Sequence, residues 1–273
     1  MSNPTWAIGI GLLLGAWTGM AQQQGPRRTP LGTQVPRPNL PQRGQPPRTP
    51  SAPAEPATAA LQRTTNAHGG QAFRNIADSV AEGTLTLYSM EGPYAQFSVT
   101  VKRKGQGRVQ RTIKSPTGEQ RQGTNGTQTW DAFGNFLTAA RGPALEFIET
   151  QSARALPNLF EYQTRGSRLR DDGMHGKDRL LTIEESNGRT TSYLIDGVTA
   201  LVTRLELVSG QAPDMLGRPL SIVQSYVFSN FRAVQGVPTP FKVQHFNNGI
   251  KVDELLFTSV QYNTGIADDV FRP

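Results

Sequence analysis

The sequence predicts a mainly β (α+β) fold, a curved, incomplete antiparallel β-barrel of about 10–11 strands with two or three helices covering its concave face. Three observations predict it. Apolar–polar alternation, as in Gln96-Phe97-Ser98-Val99-Thr100-Val101-Lys102, recurs along residues 83–262 and marks strands with one buried face. Asn-Gly pairs at 125–126, 187–188 and 248–249 stand between such runs, and Asn-Gly supplies the two positive-φ residues of a type I′ hairpin turn. No helical segment separates the later strands. A parallel doubly wound sheet is therefore excluded, because each parallel crossover takes about a dozen residues. A sheet this wide twists and curls, and near-closure hides its edges.

The N-terminal residues lack this patterning. Residues 7–21, AIGIGLLLGAWTGMA, are too few for a membrane-spanning helix, which takes about 20. Gly19 and Ala21 place small residues at −3 and −1 of a cut after Ala21, the pattern of a secretory signal peptide, although Met1 to Trp6 contains no Lys or Arg. The expectation is export to the periplasm. An uncleaved signal would instead tether the protein to the inner membrane. Residues 22–60 hold ten of the 20 prolines, no aromatic residue, and five arginines against one acid, Glu55. Such a composition buries too little surface to offset ordering entropy. It is expected to be a disordered linker that samples polyproline II, with arginines that are solvated rather than bound to anionic envelope polymer.

The remaining segment, 61–273, is expected to be one domain. Its 23 basic and 20 acidic residues leave it close to neutral, although the whole chain carries +7. Nucleic-acid binding would need a basic stripe on the fold itself and is not expected. The absence of cysteine excludes disulfides, a thiol nucleophile, a thiolate zinc site and a lipid-modified cysteine. Three histidines, His68, His175 and His245, are too few to suggest a metal site, and no cofactor is implied.

The domain opens with a helical pattern, Ala59, Leu61 and Ala67, then Ala72, Phe73 and Ile76. His68-Gly69-Gly70 should interrupt it. Strands are expected at Gly83–Tyr88, Gln96–Lys102 and Arg108–Lys114, and between Thr127 and Thr138 around Trp130. A second helical piece begins at Gly142-Pro143, since proline suits a first helical turn, and Pro157 should close it. Six strands follow, at Arg179–Glu185, Arg189–Asp196, Ala200–Val208, Leu220–Ala233, Thr239–Asn247 and Lys251–Tyr262.

Catalytic signals are weak. His245 shares a strand face with Phe241 and Val243, and a base–nucleophile pair would need Ser225, Ser229 or a carboxylate in reach. Asp171-Asp172 and Asp268-Asp269 are adjacent acids, and neighbours on a strand point to opposite faces. The first pair reads as a charged turn. Gly105-Gln106-Gly107 reads as a hairpin turn without the strand–helix setting of a phosphate loop.

The order of several segments resembles a known family. These are Tyr-Leu-Ile-Asp (193–196), Val-Thr-Arg-Leu-Glu (202–206), Tyr-Val-Phe-Ser-Asn-Phe-Arg (226–232), Gly-Val-Pro-Thr-Pro-Phe-Lys-Val (236–243) and the terminal Asp-Asp-Val-Phe-Arg-Pro (268–273). Over residues 75–273 the chain resembles the LolA/LolB-like superfamily of periplasmic lipoprotein-carrier and lipoprotein-receptor domains, and more closely outer-membrane lipoprotein-sorting-like proteins. Gln211–Arg218, which lengthens a hairpin, and the Pro-rich leader depart from that pattern. The resemblance implies an incomplete barrel that holds lipid chains in an apolar cavity. The expected function is a monomeric, non-enzymatic binding protein for a lipid or lipoprotein acyl chain. The alternative is an envelope sensor or scaffold that meets another envelope protein. Alternate strand residues supply the expected cavity lining: Leu85, Leu87, Phe97 and Val99, with Val101, Trp130, Phe241 and Val243.

Overall fold

The computed structural model describes residues 56–105, 107–213 and 216–273. The expected signal and most of the expected linker lie outside the described residues. Helix α1 spans Ala57–Ala67 and begins inside the segment expected to be linker, because Ala60 is buried in the core. The short α2 follows at Gln71–Arg74. The break falls at His68-Gly69-Gly70 as expected, with φ of 104° at Gly69 and 55° at Gly70. A Cβ on Gly69 would also press on the Gly236 carbonyl oxygen at 3.0 Å, so conformation and space both demand glycine there.

Six strands follow in a meander: β1 Asp78–Ser89, β2 Gly92–Lys104, β3 Arg108–Ser115, β4 Gly118–Thr124, β5 Thr129–Phe133 and β6 Phe136–Ala139. Helix α3, Gly142–Glu149, runs on into a π-helical turn at Thr150–Arg154, and α4 spans Leu156–Phe160. Pro157 therefore stands in the first turn of α4 rather than closing the region, where its missing N–H costs nothing. A second meander completes the chain: β7 Arg168–His175, β8 Asp178–Glu184, β9 Thr190–Ile195, β10 Val202–Pro213, β11 Pro219–Val234, β12 Val237–Asn247 and β13 Ile250–Tyr262. A 3₁₀ turn at Asp268–Phe271 ends it.

The two meanders join through β1 and β13 into one antiparallel sheet, in the order β6-β5-β4-β3-β2-β1-β13-β12-β11-β10-β9-β8-β7. The sheet is open, with β6 and β7 at its edges. It has thirteen strands rather than about ten or eleven. The additions are β4, β7 and the division of 127–138 into β5 and β6. Strand β4, Gly-Glu-Gln-Arg-Gln-Gly-Thr, has no apolar alternation; its Gln120 and Gln122 side chains donate to Asp131 instead. Strand β7 is a charged edge, a composition that discourages pairing with further chains. Asp171 and Asp172 lie in this strand rather than in a turn. Each has its own arginine, Arg179 and Arg170 respectively.

Only one of the three Asn-Gly pairs forms the expected turn. Asn248 and Gly249 have φ of 47° and 81° between β12 and β13. At 125–126 the Asn125 side chain accepts the backbone N–H groups of Thr127 and Gln128, an Asx turn. At 187–188 only the glycine has positive φ. Gln235-Gly236 makes the other such turn, with φ of 50° and 80°. The β10–β11 hairpin is long, pairing as far as Pro213 and Pro219, in line with the extension expected at 211–218.

The concave face carries two cores. Helices α1 and α4 pack Leu61 and Leu159 onto Leu181, Tyr193 and Leu205 of β8–β10. Helix α3 packs Phe147 and Ile148 onto Leu85, Val99 and Leu255 of β1, β2 and β13. Val243 on β12 touches both cores. At Gly83 the β1–β13 register shifts by a bulge, and any Cβ there would collide with the Leu256 carbonyl oxygen. The bulge lies within the second core, where such an irregularity increases the local twist of a strand.

Candidate functional site

Each core fills part of the concave face, and a cavity of about 690 Å³ remains between them. Paired strand residues share a face, so register identifies its wall. One row across the sheet runs Phe228, Val243, Leu255, Leu85, Phe97. Further along the strands another row runs Tyr262, Ser79, Arg103, Val109. Phe228, Val243, Leu255, Tyr262 and Arg103 line the cavity, with Phe73 from α2 and Phe160 from α4 facing them. The wall is chiefly apolar and aromatic, the usual make-up of a small-molecule pocket, and its volume falls within the range of about 300–1,000 Å³ of such pockets.

His68 sets the aromatic end. It is fully buried, and its ring centroid lies 5.9 Å from that of Phe160, 6.2 Å from Phe73 and 6.4 Å from Phe231. The Val202 N–H donates to His68 Nε2 at 3.0 Å, which fixes the neutral ring with its proton on Nδ1. Nδ1 lies near the Pro238 backbone, outside ordinary hydrogen-bond geometry. Burial pushes the imidazole pKa down to about 4, against a smaller upward pull from Pro238. His68 is a structural post of the cavity wall.

Of the eight residues expected to line the cavity, Val101 and Val243 do so. Leu85 and Val99 lie on the same concave face, but α3 covers them; Leu87 packs beside them. Phe97 ends their row, half-buried and away from the cavity. Phe241 is buried beneath the Arg232 guanidinium, 4.4 Å from its ring centroid. Trp130 is on the opposite face, in register with Gly123 and, through it, Gln110. The C-terminal turn covers it there: Trp130 Nε1 donates to the Phe271 carbonyl at 3.3 Å and Gln110 to that of Val270 at 2.7 Å. The aromatic lining that sequence reasoning missed, Phe73, Phe160, Phe228 and Phe231, belongs half to helices. The remainder straddles Asn230, whose φ of 55° breaks the alternation of β11.

His245 stands beside the cavity, stacked on Tyr226 with ring centroids 4.4 Å apart. Its Nδ1 is 2.8 Å from Asp253 Oδ2 and its Nε2 meets the Gln224 side-chain oxygen. The Asp253 partner was invisible in the sequence. It faces His245 only through the β12–β13 register. Ser225 is on the other face, donating to Glu206 at 3.1 Å, so the serine–histidine pairing does not form. Glu146 of α3 completes this polar corner, its carboxyl raised by burial against the opposing influence of His245. Asp268 forms ion pairs with Lys104 at 2.8 Å and Arg108 at 2.7 Å. Among the described residues no group of three or more acidic or histidine side chains is placed to hold a metal ion. No described helix is long and apolar enough to cross a membrane.

The open antiparallel sheet with helices packed on its concave face has counterparts among solved structures. A DUF1329 family protein from Desulfovibrio piger superposes with a TM-score of 0.56 at 12% identity, covering 80% of this chain and 98% of that one. A LolA superfamily protein from Nitrosomonas europaea gives 0.51 at 13% identity, covering 81% and 99%. The fold is LolA-like. A third neighbour, a domain from Vibrio parahaemolyticus named for outer membrane lipoprotein sorting, gives 0.54 at 14% identity and covers 80% and 97%. No protein-family model matches the chain, and no curated protein does. In this LolA-like fold the segments that carry the family resemblance are mainly supports. Tyr193 donates to the Arg154 carbonyl at 2.9 Å and ties the π-helical turn to the sheet. Donors from Thr199 hold the Asp196 carboxyl far below the usual range and so fix the β9–β10 turn. Phe271 is fully buried at the end of the chain.

Proposed function

We propose that the protein is a non-enzymatic carrier of the bacterial periplasm that holds an acyl chain of a lipid or lipoprotein in the LolA-like cavity. The observation that carries this reading is the apolar cavity of about 690 Å³ between the two cores, walled by aromatic residues from the sheet and from α2 and α4. A sheet that packed all its helices tightly would have no such gap, since protein interiors are close-packed. In this reading residues 1–21 direct export, the residues from 22 to the start of α1 form a spacer, and the domain works as a monomer. The name of the Vibrio neighbour agrees with lipoprotein sorting as the setting.

Two substitutions on the same concave face test the reading. Val99 is only 3% exposed under α3, whereas Val243 lines the cavity. Val99→Trp overpacks a filled site and is expected to lower stability by about 1–3 kcal/mol. Val243→Trp fills empty space. It is expected to leave stability within about 1 kcal/mol while reducing the affinity of a fluorescent fatty-acyl probe about tenfold. Chemical denaturation and probe titration read the two effects. Equal destabilisation by both substitutions, with no probe bound by the wild type, would assign the face to a dry core and leave the scaffold reading.

A further inference from the structure

Among the described residues two cations of the cavity wall have no carboxylate partner, the exposed Arg74 and the half-buried Arg103. Arg103, on β2, lines the cavity in a row with Ser79 and Tyr262. Its guanidinium donates to the Gln151 carbonyl oxygen of the π-helical turn. No carboxylate pairs with it among the described residues. Lys104 and Arg108 share Asp268, whereas Arg111, which does not line the cavity, bonds the Gln122 side chain, lies over the Phe147 ring at 3.8 Å and feels the charges of Asp253 and Asp131. The two carboxylates of the wall are Asp78 and Glu161, and among the described residues neither forms an ion pair with Arg103, whose charge is favoured by Tyr262 alone. Asp78 is occupied by four donors from Thr264, Gly265 and Ile266.

A guanidinium taken from water without an anion is costly, and proteins ordinarily supply a partner. Burial pushes the Arg103 pKa down to about 10, so the group stays charged at neutral pH. It has five N–H donors, in a planar fork that matches a carboxylate or phosphate. Along β2, Arg103 lies six residues from the row that contains Val243, a distance of about 20 Å at 3.3 Å per residue. Phe257 and Val260 line the cavity between them.

The geometry points to a ligand with an anionic head and a single long acyl tail, the head paired with Arg103 and the tail lying along the aromatic wall toward Val243. This inference rests on the acyl-carrier reading and adds the charge of the ligand.

The test compares cis-parinaric acid with its neutral methyl ester, both fluorescent, on the full chain. The wild type is expected to bind the acid about tenfold or more tightly than the ester, the scale of a charge-assisted hydrogen bond. Arg103→Gln should bring the acid down to the level of the ester and leave the ester within twofold, which also shows that the variant is folded. Arg103→Lys should keep part of the preference. Displacement of the acid by oleate or by lysophosphatidate, but not by oleyl alcohol, supports the anionic head, and the stronger competitor names it as carboxylate or phosphate. An acid preference unchanged in Arg103→Gln, or equal binding of acid and ester by the wild type, overturns this inference and leaves the carrier. Failure of the wild type to bind either probe overturns both.

Discussion

Asp78→Ala is expected to destabilise the domain by about 3 kcal/mol. Asp78 is the first residue of β1 and its carboxylate is buried. It accepts from Thr264 N at 2.7 Å, Thr264 Oγ1 at 2.9 Å, Gly265 N at 3.0 Å and Ile266 N at 3.2 Å. Burial alone would raise this carboxyl, but the four donors outweigh it and hold the pKa below its ordinary value. Asn263 adds a reciprocal pair, its side chain accepting the Ala77 N–H and its own N–H donating to the Asp78 carbonyl. The clamp therefore fastens the chain leaving β13 to the start of β1, where the two meanders meet. Alanine leaves these donors unpaired and releases the segment that covers Trp130. Asparagine retains one acceptor oxygen and should cost less. Urea denaturation measures both, and a loss below about 1 kcal/mol for alanine would show that the clamp is incidental.

Acidification from pH 6.5 to about 4 is expected to remove roughly 3 kcal/mol of stability, through His68. The sign follows from which state takes up the proton. The unfolded chain binds one near the ordinary histidine pKa of 6.5, whereas the fully buried native ring resists protonation until about pH 4. The contribution is complete above pH 6.5, declines as the pH falls, and is gone below the folded-state value. Protonation would also take away the lone pair that receives the Val202 N–H. His68→Gln keeps an acceptor there without a titrating group, so its stability profile should be flatter across this window. Denaturation midpoints at pH 7, 6, 5 and 4 for the two proteins provide the comparison. Parallel profiles would remove His68 from the acid response.

The strand alternation made most of the sheet readable, and its limits explain what was missed. Period-2 patterning tells which residues share a face. It does not tell what covers that face. Val99, Val101 and Val243 share the concave side, and Val99 and Val101 are both buried in the core on which α3 packs, yet only Val101 and Val243 reach the cavity. Trp130 carried the same apolar signal, yet its cover is the C-terminal turn on the other side of the sheet, a contact between residues 141 positions apart. Strands β4 and β7 escaped because glutamine ladders and ion pairs replace apolar alternation there. Of the cavity's chemistry, Arg103 gave no signal at all. It closes an alternating run as one more charged residue, and only the three-dimensional placement shows that no carboxylate pairs with it among the described residues.

The most direct measurement of the central claim is the acyl content of the protein itself. The full chain, purified from a bacterial envelope fraction without detergent, would be extracted with organic solvent and analysed by mass spectrometry alongside the Val243→Trp variant. The cavity predicts close to one acyl ligand per wild-type chain and markedly less in the variant. Wild-type protein that carries no acyl chain, and takes none up when incubated with lipid vesicles, would contradict a carrier function for this fold.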